Sequence, residues 1–229
     1  MKVVIYGVYG TIGKFLAHSF LCDGHSVIGI YNNKIDKLSL KNNNKQKFIS
    51  LKNNENLKIN ANIVINCAVN NNSLNENKKI IDNILRQNNQ DLVSHFIHFG
   101  SISTYGEFKI IKSKIKKKPI SSYGEIKNNV DNYLKNTVDN NKLYILEPAI
   151  LISEYCKPWY LSYLSLIEKN LKIYLPNTNS NMPGIFLNDI YNYIDYIISS
   201  NYPGNDNFHL LINTKFMKKW KDYYLDIFS

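Results

Sequence analysis

The chain opens with a short apolar run, Val3-Val4-Ile5-Tyr6, that passes without a polar break into Gly7-Val8-Tyr9-Gly10-Thr11-Ile12-Gly13-Lys14 and then into residues with the apolar spacing of a helix. No other stretch constrains the fold as tightly. A buried strand that turns at once into a helix needs glycine for three separate mechanical reasons. Gly7 permits the tight turn out of the strand, Gly10 lets a ligand approach the backbone, and Gly13 lets the helix lie close to the sheet. N–H groups at the start of such a helix carry partial positive charge and receive phosphate oxygens. The junction therefore reads as a dinucleotide cradle built from Gly7, Tyr9, Gly10, Thr11, Ile12 and Gly13, although the tighter Gly-x-Gly-x-x-Gly spacing is absent.

The rest of the first two-thirds repeats that alternation. β-Branched runs at Val3–Tyr6, Val27–Tyr31, Phe48–Leu51, Ile63–Asn66, His95–Phe99 and Leu143–Leu146 are expected strands, separated by expected helices Ile12–Asp23, Asn77–Asn88 and Tyr123–Asn136. Strand, helix, strand in that order predicts an α/β fold with a doubly wound parallel sheet. Asn-rich segments Asn32–Lys47 and Asn70–Asn77 read as loops. After Pro148 the rhythm changes to a helix Trp159–Asn170, a strand Lys172–Leu175, a helix Asn188–Ser199, a strand Phe208–Ile212 and a last amphipathic helix Lys215–Phe228. The expected organisation is a dinucleotide-binding core over residues 1–153 and a small C-terminal α/β lobe over 154–229, packed together as one unit.

Bulk properties narrow the setting. With 229 residues and 44% hydrophobic content, the chain can bury a real core. No stretch approaches the ~18 apolar residues of a membrane span, so a cytoplasmic protein with no membrane partner is expected. Cys22, Cys67 and Cys156 are odd in number and unpaired in spacing, and are expected to be reduced core thiols. The five histidines lack ligand spacing, so no metal is expected; His95 and His98, three apart in one strand, should face opposite sides of the sheet. A net charge of +10 suits anionic partners, but lysine and asparagine are spread from end to end and the excess reads mainly as compositional bias. The tyrosines of 190–197 and the last helix fit helix packing or a subunit interface better than base stacking, so nucleic acid is not an expected partner.

A second cluster lies near the middle, Ser122-Tyr123-Gly124-Glu125-Ile126-Lys127. Tyr123 and Lys127 are four apart on a helix and share a face. A phenol of pKa ~10 must be lowered to ~7 to act as a base at neutral pH, which takes about 4 kcal/mol of preferential phenolate stabilisation. A neighbouring ammonium and a cofactor's positive charge are the expected sources. Ser101, on the loop leaving Phe96–Phe99, has the position to hydrogen-bond a reacting oxygen.

With these pieces in order, the sequence resembles the extended branch of the short-chain dehydrogenase/reductase superfamily, the NAD-dependent epimerase/dehydratase group. The matching residues are the triplet Gly7, Gly10 and Gly13, Asn66-Cys67-Ala68, the stretch Phe99–Gly106, Ser122–Lys127, Glu147-Pro148-Ala149 and Phe186–Ile190. The resemblance implies a Rossmann-like core that binds NAD(P) through the cradle, Tyr31, Asn32, Cys67, Ala68, Tyr123, Lys127 and Pro148. It implies Tyr123 as general acid/base, Lys127 as holder of the nicotinamide ribose, Ser101 as orienter of the substrate oxygen and Asn77 in a structural role. It also implies a phosphorylated or nucleotide-linked sugar as substrate, acted on by an oxidoreductase or epimerase, and a homodimer. Tyr31-Asn32-Asn33-Lys34 offers no carboxylate until Asp36, which favours NADP over NAD.

Three departures set further expectations. Ile102 and Ser103 stand where hexose dehydratases of the group carry an Asp-Glu pair, which argues against 4,6-dehydration. Glu147 stands where an arginine is frequent, and the tail after Pro148 is short. Lysines 109, 112, 114, 116, 117 and 118 crowd the loop before Pro119 and are either solvated or a field for a substrate diphosphate. The competing expectations are a carbonyl reductase of a smaller substrate and a catalytically silent dinucleotide sensor or scaffold.

Overall fold

The computed structural model describes residues 1–32, 45–51, 57–106, 116–152, 169, 181–200, 208–213, 215 and 219–220. Strands β1 (Lys2–Tyr6), β2 (Ser26–Tyr31), β3 (Gln46–Ser50), β4 (Ile63–Asn66), β5 (His95–Phe99), β6 (Leu143–Pro148) and β9 (Phe208–Leu211) form a seven-stranded sheet in the order β3-β2-β1-β4-β5-β6-β9. Every pairing in it is parallel. The order reverses between β1 and β4, and at such a point the loops leaving two neighbouring strands diverge and open a crevice.

Strands β4, β5 and β6 are buried along their whole length, which is why they read as continuous apolar runs rather than alternating ones. Each face of the sheet carries its own core. On one face Val3, Ile5, Ile63, Ile65 and Ile97 meet Leu16, Ala17 and Phe20 of helix α1 (Thr11–Cys22) and Ile190, Ile194 and Ile197 of helix α4 (Leu187–Ser199). On the other, Val4, Val64, Phe96 and Ile145 meet Ile81 and Ile84 of helix α2 (Leu74–Gln87) and Val130 and Leu134 of helix α3 (Ser122–Thr137).

The expected strands and helices of residues 1–150 all form, with ends shifted by a few residues. Helix α2 starts three residues earlier than expected, at Leu74, because the Ser73 hydroxyl accepts the Glu76 N–H at 3.2 Å; this is the Ser-x-x-Glu start signal. Asn77, now inside the helix, donates from Nδ2 to the carbonyls of Asn70 and Ser73 and accepts the Asn70 N–H. Gln46 and Lys47, expected in a loop, belong to β3. Two short strands not anticipated, β7 (Ile150–Ile152) and β8 (Gly184–Phe186), pair in parallel as a separate sheet. From the tail, α4 and β9 fall within the expected positions, and β9 joins the main sheet beside β6. The expected helix Trp159–Asn170 and strand Lys172–Leu175 lie outside the described residues, as does most of Lys215–Phe228. Tyr191 and Tyr193 of α4 are turned inward, their hydroxyls bonded to Asp23 and His209. Cys22 is exposed, not a core thiol; it closes α1 one turn beyond His18, on the side away from the sheet. Cys156 lies outside the described residues. Among those residues no helix is long and apolar enough to cross a membrane.

Candidate active site

The residues singled out from the sequence lie at the carboxyl ends of the parallel strands. At the end of β1, Gly7 adopts φ +77°, and its N–H donates to the Ile30 carbonyl at 2.9 Å. A Cβ on Gly7 would stand 2.8 Å from the Ala68 backbone nitrogen and 2.9 Å from the Cys67 carbonyl carbon. The turns after β1 and β4 therefore touch across the switch point only because residue 7 has no side chain. A Cβ on Gly13 would stand 2.4 Å from the Gly7 carbonyl oxygen, so the helix is seated as close to the strand as backbone atoms allow. Gly10 caps α1 without a side-chain bond, and no acidic residue occupies the first turn. An anion approaching Thr11, Ile12 and Gly13 meets a helix N-terminus whose first turn carries no acid, so the cradle fits a dinucleotide's phosphates.

The side of the crevice beside β2 is aromatic. The Tyr9 ring lies edge-on to Tyr31 at 4.8 Å between centroids and stacks with Phe48 at 6.3 Å. The Phe48 ring reaches β2 because residue 29 is glycine; a Cβ there would be 2.6 Å from the ring. Asn32 follows Tyr31 and is exposed.

On the opposite side of the crevice, Ser101 leaves β5 and caps a single 3₁₀ turn, Ile102–Tyr105, accepting the Ser103 N–H at 3.2 Å. Helix α3 packs against that turn: its N-cap Ser121 accepts the Gly124 N–H, and a Cβ on Gly124 would stand 2.4 Å from the Ser103 carbonyl oxygen. This approach brings Tyr123 close enough to Ser101 for the serine hydroxyl to favour its phenolate form. Lys127 is buried, donates to the Phe99 carbonyl at 2.7 Å, and has its Nζ 6.0 Å from the Tyr123 ring centre. Lys127 and Cys67 are also close enough to influence each other electrostatically. Ser101, Tyr123 and Lys127 are thus brought together, and through Cys67 and Ala68 they adjoin the glycine turn. Pro148 closes β6 in register with Leu211, buried in the sheet.

The electrostatics correct one expectation. Tyr123 is raised, not lowered, by the chain around it: burial pushes its pKa up, the neighbouring Ser101 hydroxyl opposes that, and the charge of Asp131 adds to the rise. Lys127 is itself brought down to about 8, burial outweighing the opposing influence of Asp131. Its ammonium donates to the Phe99 carbonyl rather than to the Tyr123 hydroxyl.

Sequence reasoning missed what lies beneath. Glu147, noted only as a charge reversal, is fully buried, accepting the Thr104 hydroxyl at 3.1 Å and the Tyr105 hydroxyl at 2.5 Å. Asp131, one turn beyond Lys127, is also fully buried. Lys117 is not part of a solvated field: it turns inward and lies 3.0 Å from Asp131 Oδ2 and 2.5 Å from Glu147 Oε1. Lys116 and Lys118 are exposed, whereas 109, 112 and 114 lie outside the described residues. His98 faces the same helix, its Nδ1 3.1 Å from the Asn66 amide and its Nε2 3.7 Å from Asp131 Oδ1. The Asn66 amide oxygen accepts the Ala68 N–H at 3.0 Å, which makes its nitrogen the donor to His98. Burial holds that imidazole well below its ordinary pKa, and hence neutral. An acid at Lys127+4 and another in a fully apolar strand were the available signal, since two buried carboxylates demand a cation.

With this geometry in hand, the sequence profile of the NAD dependent epimerase/dehydratase family matches residues 3–158, more than half of the chain. The chain belongs to that family. No curated protein matches it in sequence. Among solved structures it is similar to UDP-glucuronic acid 4-epimerase from Bacillus cereus, in complex with UDP-glucuronic acid and NAD, with a TM-score of 0.77 at 16% identity over 99% of this chain and 82% of that one. It is similar to dTDP-glucose 4,6-dehydratase from Bacillus anthracis, in complex with NAD, with a TM-score of 0.73 at 13% identity over 99% and 80%. It is also similar to UDP-glucose 4-epimerase from Thermotoga maritima with UDP-glucose, with a TM-score of 0.72 at 15% identity over 99% and 81%. At these identities the likeness concerns the Rossmann-like fold. Because a dehydratase and two epimerases fit it about equally, it does not separate dehydration from epimerisation.

Proposed function

We propose that this member of the family is an NAD(P)-dependent oxidoreductase or epimerase acting on a nucleotide-linked sugar, with Tyr123 as general acid/base. The observation that carries the proposal is that Ser101, Tyr123 and the buried Lys127 come together beside a glycine cradle whose first helical turn carries no acid. When bound, the nicotinamide supplies the acceptor and donor of hydride, as cofactors do in such enzymes. The chain's residues do the rest. Gly10 and the first turn of α1 hold the diphosphate, with Tyr9, Tyr31 and Asn32 along the adenosine and Cys67 and Ala68 against the inner edge. Lys127 reaches the nicotinamide ribose, and Ser101 orients the sugar oxygen. Tyr123 takes the proton from that oxygen as a carbonyl forms and returns it on reduction. Pro148 closes the strand behind the nicotinamide end.

Two finer points belong to the same proposal. The absence of a carboxylate at Tyr31-Asn32-Asn33-Lys34 supports NADP as the preferred cofactor. Ile102 and Ser103 offer no acid beside the reacting carbon, which supports epimerisation or reduction over 4,6-dehydration.

The test is Tyr123→Phe in an assay of UDP- and dTDP-sugars that follows both nicotinamide absorbance and isomeric products. The substitution removes one hydroxyl and leaves the packing, so NAD(P) affinity is expected to stay within about twofold while turnover falls by roughly 10²- to 10⁴-fold. Undiminished turnover would remove Tyr123 from the chemistry. No turnover of any nucleotide sugar by the unaltered chain, with NAD(P) still bound, would favour the silent sensor.

A further inference from the structure

Three charged side chains meet beneath the Ser101 turn. Asp131 comes from α3, Glu147 from β6, and Lys117 from the segment Lys116–Ile120 that leads into α3. Both carboxylates are fully buried, and Lys117 bridges them at 3.0 and 2.5 Å. They lie directly below the start of the Ser101 turn: a Cβ on Gly100 would stand 3.0 Å from Glu147 Cγ and 3.2 Å from Asp131 Oδ2. The backbone around Lys117 is equally close-fitted. Gly106, at φ +69°, approaches so near the Lys118 carbonyl that a Cβ would stand 2.1 Å from it, and Pro119 lies against Gly124. Residues 106 and 118 therefore form a closed stem, and Lys117 is the side chain that the stem sends inward.

We propose that Lys117 is a positioning residue of the catalytic site: an internal counterion that pins the loop stem and the Ser101 turn to α3 and neutralises the acid pair beneath Tyr123 and Lys127. The proposal rests on the reading of Tyr123 and Lys127 as the proton-transfer pair, and it adds a residue that touches neither substrate nor cofactor. Its reach is electrostatic. Asp131 is pushed up to about 7 by burial, opposed by Lys117 and reinforced by Glu147. Its charge in turn favours the ammonium of Lys127 and disfavours the phenolate of Tyr123. The other groups facing Lys127 are the Phe99 carbonyl and His98 from β5 and Cys67 from the end of β4. His98 is neutral, and burial pushes the Cys67 thiol up, so Asp131 is the charge that balances Lys127, and Lys117 decides whether Asp131 carries it. Without Lys117, two buried carboxylates oppose each other and Asp131 keeps its proton to higher pH. Lys127 then loses its counter-charge and titrates lower.

The experiment follows the side-chain nitrogen of Lys127 by NMR of the full ¹⁵N-lysine-labelled chain between pH 6 and 11, its signal assigned by its loss in Lys127→Met. The unaltered protein should titrate near 8. Lys117→Met and Asp131→Asn should each move the midpoint down by about one unit, and Glu147→Gln added to Lys117→Met should bring it part of the way back. If Lys117→Met fails to fold, Asp131→Asn, which keeps size and removes charge, decides the matter. A lowered melting temperature with an unmoved Lys127 midpoint in Asp131→Asn or Lys117→Met would overturn the proposal and leave a structural ion pair. A moved midpoint in a chain whose Tyr123→Phe variant turns over normally would sustain the electrostatic link and instead remove the assignment of Tyr123.

Discussion

The two ends of the crevice are built on opposite principles. The end at the glycine turn is made of backbone and rings: Gly7, Gly10 and Gly13 closely packed, with Tyr9, Tyr31 and Phe48 around them. The end at Ser101 and Tyr123 is underlain by buried charge, with Lys117 bridging Asp131 and Glu147 and the buried Lys127 one helical turn from Asp131. The first end is sensitive to volume and indifferent to pH. The second tolerates changes of equal size and is sensitive to charge. A site that binds an anion with N–H groups needs no titratable side chain, whereas one that moves protons needs groups whose affinities are tuned by burial and neighbours.

Substitutions that cross this divide give the sharpest tests. Gly13→Val should have the largest effect on stability, because the atoms it meets are the backbone of Gly7 and Val8 and cannot swing aside. A loss of about 3 kcal/mol and of roughly 10 °C in melting temperature is expected, equal at pH 6 and pH 9. A loss that varied with pH would break the comparison. Lys127→Met should do the reverse. A lysine lowered to about 8 in the folded chain and near 10.5 when unfolded is charged in both states below pH 8, where its burial costs stability. Between about pH 8 and 10.5 the unfolded chain holds the extra proton, so stability rises with pH by about 2 to 3 kcal/mol. In Lys127→Met that rise should vanish from melting curves taken across the window; its persistence would move the titrating group elsewhere. The smallest effect is expected at Tyr31→Asp, which places a carboxylate at the ribose edge. A shift of about tenfold toward NAD over NADP, or about 1.4 kcal/mol, would sharpen the account of the aromatic end. An unchanged ratio of the two dissociation constants would show that position 31 does not read the ribose.

The same divide explains what could be read from the sequence. Backbone-driven features leave local signals. Gly7 and Gly13 mark the cradle because a side chain at either would run into backbone atoms, and the apolar runs mark β4 and β5 because both faces of the sheet are covered. Tyr123 and Lys127 were legible because a four-residue spacing on a helix fixes their common face. The charged group left no local pattern. Lys117 sits among lysines 112, 114, 116 and 118, and nothing in its sequence neighbours shows that it turns inward where Lys116 and Lys118 stay exposed; that depends on Asp131 and Glu147, brought to it by α3 and β6. The upward shift of Tyr123 left no local signal for the same reason, since it comes from burial and from the charge of Asp131. The earlier start of α2 was legible in Ser73 and Glu76, a capping signal that the apolar spacing had overshadowed.

The sheet's last strand bears on how the protein is made. β9 comes from residues 208–211, yet its parallel partner β6 is complete at Pro148. During synthesis β6 therefore waits as an open strand edge while some sixty further residues leave the ribosome, a delay of several seconds at ordinary elongation rates. Unpaired edges of this kind recruit other chains, so the nascent protein is at its most adhesive just before its final turn of assembly, and chaperone demand should peak there.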